Sequence, residues 1–206
     1  MVDAAAIVSL HDKLTISWHL GDGDGQDGKS LAATPWLEAV CRQHRANFDL
    51  WHIEDEARTP GATDSALADV KRRIDRTNQL RNDLAEKLDV FLLEWLTPQA
   101  LPNANAPLNS ESPGLMIDRL SILALKLYHT REESIRLDAP EGHAARNLER
   151  LAILDEQRAD LAACLSTLWR ETLEGKRRFK LYRQLKMYND PALNPAVYGS
   201  QRAKVD

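Results

Sequence analysis

The chain has 206 residues, 43% of them hydrophobic and 28% charged, with a formal net charge of -4. This is ordinary globular composition, enough for one domain with a sizeable core, and the balance lacks the basic footprint of a nucleic-acid binder. Its two cysteines, Cys41 and Cys164, form neither a metal-ligand spacing nor a disulfide framework.

No apolar run reaches the roughly 18 residues of a membrane span. The N-terminus has an early Asp3 and lacks the long apolar stretch of a secretory signal. A cytoplasmic protein without a membrane span is therefore expected.

Residues 3–19 predict a first helix, with Ile7, Leu10, Leu14 and Trp18 in line. The segment 20–34 contains G-D-G-D-G-Q-D-G. Asp22 and Asp24 invite a calcium reading, but the glycine position and closing glutamate of an EF-hand loop are missing, so a flexible acidic loop is expected. Thr34-Pro35 is a helix start, an N-cap followed by proline at the first helical position. The second helix should run to about Arg58, stopping before Pro60-Gly61. Its inward arc holds Leu37, Val40, His44, Asn47, Trp51, Glu54, Asp55 and Arg58. The first two can pack; the later ones make a polar strip around a tryptophan.

The third helix, about Asp64 to Trp95 with Thr63 or Asp64 as cap, organises the rest. At 100° per residue, Leu67, Val70, Ile74, Thr77, Leu84, Leu88, Phe91, Leu92 and Trp95 share one arc. Arg81 falls inside that arc; Asp75, Asn78, Asn82 and Asp89 line its edge. A buried polar group without a partner costs about 1–3 kcal/mol. A helix with this much polarity beside its core either satisfies a network or presents a site.

Residues 97–113, rich in proline and asparagine, predict a long loop, a lid or a crossover. Ser112-Pro113 starts a fourth helix, to about Leu137, apolar nearly all round and so the most buried. It carries Asp118, Arg119 and Lys126. A fifth helix, about 141–174, shows a stripe from Leu148 to Trp169, with Gly175 placed for a left-handed cap. The stretch 176–188 carries six basic residues and no acidic one. Prolines make the tail 189–206 extended. The fold class is all-α: an antiparallel bundle of four to six helices, with helices two to five supplying the core.

Three constellations bear on chemistry. The short link between helices two and three makes them a hairpin, gathering carboxylates, amides and arginines. Carboxylates with amides suit a hard ion such as magnesium; arginine and lysine suit phosphate. The bland alternative is an ion-pair network, Arg81 with Asp55 and Arg58 with Asp75. His52 with Asp55, and His129 with Glu132, sit three apart but reverse the order of a di-iron motif, so structural histidines are expected. Glu86-x-x-Asp89 followed by V-F-L-L looks like half of the magnesium motif of all-α nucleotide pyrophosphatases, without the upstream half. No nucleophile elbow or phosphate loop occurs.

Four ordered motifs, N-F-D-L-W-H-I-E-D-E-A-R from Asn47, I-D-R-T-N-Q-L-R-N-D from Ile74, D-R-L-S-I-L-A-L-K-L-Y-H from Asp118 and K-M-Y-N-D-P-A-L-N-P from Lys186, resemble an uncharacterised bacterial family, a domain of unknown function. That family is encoded near glycosyltransferase and surface-polysaccharide genes. The resemblance implies a role in envelope glycan assembly and carries no catalytic residue with it.

The expectation is a protein that binds or processes a phosphorylated, sugar-nucleotide-like ligand. Glu54, Asp55 and Asp75 are the catalytic candidates. Asp55, Asp75 and Asp118 would hold magnesium. Asn47, Trp51, Arg58, Asn78, Arg81, Asn82, Arg119 and Lys126 would bind the ligand. The alternative is a non-catalytic accessory protein, docking through 176–188 on a glycosyltransferase or on a second copy of itself.

Overall fold

The computed structural model describes residues 2–21, 34–183, 185 and 193, and the described chain is all-helical. Five α-helices follow one another: α1 (Ala4–His19), α2 (Pro35–Glu56), α3 (Asp64–Leu96), α4 (Pro113–Ser134) and α5 (His143–Leu173), with a 3-10 turn at Thr97–Gln99 after α3. No helix among the described residues is long and apolar enough to cross a membrane. The acidic loop at 22–33 and most of the expected extended tail lie outside the described residues.

At the starts of α1 to α4 a side chain satisfies a free N–H group of the first turn; α5, which begins after Gly142, has no such cap. Asp3, Thr34, Thr63 and Ser112 accept from Ala6, Leu37, Ala66 and Leu115 respectively. Pro35 and Pro113 occupy the first helical turn, where no intrahelical N–H is lost. Gly175 closes α5 at φ 68°, with its N–H on the Thr172 carbonyl and that of Lys176 on Glu171, the left-handed cap that its sequence position predicts.

α2 and α3 form one hairpin, α4 and α5 another, and α1 packs chiefly on α4. Leu88, Leu92 and Leu96 of α3 meet Ile117 and Leu120 of α4, Leu165 and Leu168 of α5, and Val40 of α2. Each fully buried leucine contributes about 1.5–3 kcal/mol. α4 is the most buried helix, with 11 of its 22 residues buried, as its composition predicts.

Three expectations are corrected. α1 is a core helix too, through Ile7, Leu10 and Leu14. The apolar arc of α3 is buried only from Leu84 onward; Leu67 is exposed and Val70 and Ile74 half-buried. The α5 stripe likewise begins at Leu161, and Leu148 is exposed. Further, among the described residues after α5 there is no sixth helix. Leu108 and Arg178 form a parallel bridge, Arg178 N–H donates to Pro107, and Phe179 is buried in the core. The loop 97–113 is thus a strap tied to 176–179.

Where α4 begins, Asp89 of α3 accepts from the Ser112 hydroxyl and, at 2.7 Å, from the Gly114 N–H. The Asp89 carboxylate is therefore a helix anchor, which removes it from the magnesium half-motif. Burial pushes its pKa up to about 6. A Cβ at Gly114 would lie 2.3 Å from the Ala85 carbonyl oxygen and 2.9 Å from the Asp89 carboxylate. Gly114→Ala is expected to cost about 2–3 kcal/mol, overpacking plus a weakened cap. Urea unfolding checks it; a loss below about 0.5 kcal/mol would show that α4 slides freely on α3.

Candidate functional site

A buried polar chain runs across four helices beside the core. Thr15 Oγ1 of α1 meets His44 Nε2 of α2 at 3.0 Å, and His44 Nδ1 meets Ser121 Oγ of α4 at 2.7 Å. Asn47 Nδ2 donates to Ser121 Oγ and to Asp118 Oδ1, both at 2.9 Å. Gln43 Nε2 donates to the same Oδ1 at 2.6 Å. Arg81 of α3 completes the set, Nε to Oδ1 at 2.9 Å and Nη2 to Oδ2 at 2.6 Å. The pair with Asp118 raises the Arg81 pKa further. The arginine inside the arc of helix three is thus a bidentate partner of the one buried carboxylate of α4. The expected pairing with Asp55 is replaced.

Arg81 also lines an open cleft of about 430 Å³ between α2, α3 and α4. Asn47, Trp51, Glu54, Asp55 and Arg58 line it from α2, over an apolar floor of Leu50, Ile122 and Leu125. Arg58 pairs along its own helix with Glu54 at 3.3 Å and Asp55 at 3.6 Å, all well exposed. Six of the candidate residues are therefore brought together.

The others are elsewhere. Asp75 pairs with Lys71 on the exposed part of α3. Asn78 and Asn82 are half-buried on α3 and do not line the cleft. Arg119 pairs with Glu111 at 2.8 Å and, with Lys126, lines a second groove of about 550 Å³ against α5. The magnesium set does not gather either: Asp55 is on the cleft rim, Asp75 on the α3 surface, and both Asp118 oxygens already accept from protein donors. In the basic segment, Lys176 pairs with Glu174 and Arg177 with Glu171.

Next to the cleft lies a group the sequence reading treated as structural. Of the six histidines in the chain, five gather where α1, α2 and α4 meet. His11 stacks on His44 at 4.5 Å. Burial holds His11 down at about 3 and His44 well below the usual histidine range. His19, His52 and His129 each offer a ring nitrogen within 4.8 Å of the other two, the one group of three or more such ligands among the described residues. Burial and the neighbouring histidines lower the pKa of His52; burial lowers that of His129 against the pull of Glu132. Tyr128 stacks on His19 at 4.1 Å. Trp51, a wall of the cleft, stacks on His129 at 4.9 Å and 5°.

In all three, Nε2 is buried with no hydrogen-bond partner. Each such atom costs about 1–3 kcal/mol if left so. His44, Phe48 and His52 at i, i+4 and i+8 mark one face of α2, a signal legible beforehand. Nothing in the sequence aligned His19 with it.

Comparison with the curated proteins and with the solved structures gives no match. The model of a family described as "Protein of unknown function (DUF4254)" matches residues 37–181, covering the cleft residues and all of α3 and α4. Three of the four motifs that carry the resemblance fall inside that match. The chain belongs to this DUF4254 family.

Proposed function

We propose that this protein binds a phosphorylated, sugar-nucleotide-like ligand in the cleft between α2, α3 and α4, in the cytoplasm. The observation that supports the reading is the fixed guanidinium of Arg81. Asp118 holds it by Nε and Nη2, leaving Nη1 outside the pair, on a residue that lines the cleft. A side chain ordered beforehand loses little entropy on binding. A guanidinium fork suits phosphate oxygens.

Trp51 supplies an aromatic wall for a sugar or base ring. Arg58 sits in exposed ion pairs, worth little, so it can exchange Glu54 and Asp55 for phosphate. Those two carboxylates would then take a magnesium ion arriving with the ligand, the usual way this ion binds between carboxylates and phosphates. The proposed role in surface-polysaccharide assembly rests on the motif resemblance alone. The alternative, a non-catalytic accessory protein docking through 176–188, has its basic residues partly engaged: Lys176 with Glu174, Arg177 with Glu171 and Arg178 with the loop.

Thermal unfolding against nucleotides and nucleotide sugars, with and without magnesium, tests this. One ligand class is expected to stabilise the fold, by about 2.7 kcal/mol at one hundred times Kd. Arg81→Lys, which cannot both hold Asp118 and present a fork, should weaken binding about 10- to 100-fold, the loss of a charged hydrogen bond, while helicity is retained. Arg119→Ala, in the other groove, should leave binding unchanged. No stabilisation by any of these ligands would sink the proposal.

A further inference from the structure

We propose that His19, His52 and His129 form a binding site for a divalent transition-metal ion, zinc by the chemistry of its donors. Three helices deliver the ligands: His19 is the last residue of α1, His52 lies in the last turns of α2, and His129 in those of α4. One ring nitrogen of each lies within 4.8 Å of the other two. The Nε2 atoms of all three are buried without a partner. A single orphaned ring nitrogen is a tolerable defect of packing. Three such nitrogens, on three clustered rings from three helices, make a donor set for one cation.

The ring orientations agree with this. His19 Nδ1 lies 2.7 Å from the Thr15 carbonyl oxygen, and His129 Nδ1 lies 3.0 Å from Glu132 Oε2. A carbonyl or carboxylate oxygen only accepts, so Nδ1 carries the proton in both rings. A neutral ring then keeps its lone pair on Nε2, the ligand atom. The pair His129–Glu132 is the carboxylate–histidine arrangement that fixes metal-bound imidazoles. Tyr128, Trp51 and Phe48 pack against the rings and hold them in place.

Three imidazoles without a thiolate suit zinc, copper, nickel or cobalt and do not suit magnesium. Tetrahedral zinc at about 2.0–2.1 Å per nitrogen brings its ligand atoms to roughly 3.4 Å of each other, so the rings draw together slightly on binding. Three protein ligands leave a fourth position for water or for part of a ligand. Trp51, which stacks on His129 and lines the cleft, makes the two sites neighbours.

The test uses the full-length chain, untagged and stripped of metal by a chelator. Zinc titrated against a chromophoric competitor is expected to bind at one ion per chain. Cobalt should give the visible absorption of a tetrahedral site. His52→Gln and His129→Gln should each weaken zinc at least about 100-fold, and Glu132→Gln about 10-fold, as outer partners of metal ligands do. His143→Gln, whose ring is bound to Glu133, should change nothing. Should the ligand variants fail to fold, imidazole nitrogen NMR of the native chain gives the answer: zinc must shift the Nε2 signals of His19, His52 and His129 and leave His143 in place. Absence of saturable binding, or binding indifferent to His52→Gln and His129→Gln, overturns the site. No phosphorylated ligand enters these titrations, so their outcome is separate from that of the cleft.

Discussion

Asp118→Ala is expected to lower the unfolding free energy by about 3 kcal/mol, the lower end of the 3–5 kcal/mol seen when one partner of a buried ion pair is removed. The substitution leaves three donors without their acceptor. Arg81 is 24% exposed and recovers part of its loss from water. The Gln43 amide cannot, being 0% exposed, and Asn47, 3% exposed, keeps only its bond to Ser121; these two set the cost. Urea unfolding at neutral pH measures it, with the slope m compared to confirm that the same surface is exposed.

Asp118→Asn preserves the shape but puts an amide group where donors converge, so it should fall between alanine and the native chain. Because Asp118 also fixes Arg81, both variants should lose affinity for any ligand of the cleft. A loss below about 1 kcal/mol for Asp118→Ala would mean that the network relaxes and that Arg81 is not held in advance.

Mild acid is also expected to destabilise the fold. His11 is fully buried with both ring nitrogens unpartnered, and its pKa is held down at about 3. In the unfolded chain it titrates near 6.5. Between these values the unfolded chain binds a proton that the native chain refuses, so stability falls as the pH falls, by about 1.4 kcal/mol per pH unit per proton. Across the window from 6.5 to about 3, His11 alone costs on the order of 5 kcal/mol. His44, stacked on it and also lowered, acts in the same direction.

Asp89 opposes them. Its pKa is raised to about 6, so below that value the native carboxyl keeps a proton that the unfolded chain releases down to about 3.9, and acid favours the native state there by about 3 kcal/mol. The histidines win because the His11 window, from 6.5 to about 3, is wider than that of Asp89, and His44 adds to it in the same direction. Urea midpoints of the metal-free chain from pH 7.5 to pH 4 should fall steadily. His11→Phe, which cannot charge, should flatten that slope. An unchanged midpoint across the range would show that His11 charges without unfolding the chain.

Local chemistry was enough to read the helices. An N-cap acts within three residues and a proline within one turn, so Thr34-Pro35, Ser112-Pro113 and Gly175 carried their own meaning, and the all-α class with them. The oddity of Arg81 inside an apolar arc was also local, and it pointed to a real polar network. Its partner was not local. Asp55 and Asp118 are both carboxylates within reach of a bundle interior, and only the rotation and crossing of α4 against α3 puts Asp118 on the guanidinium.

The same reason governs the rest. Periodicity shows which face of a helix is apolar but not how much of its length another helix covers, so the exposed halves of α3 and α5 read as core. It also cannot bring the end of α1 beside His52 and His129. Packing three helices around one point made neighbours of His19, His52 and His129, and it split the expected site, keeping Arg58 and Arg81 in one cleft while turning Arg119 and Lys126 to another.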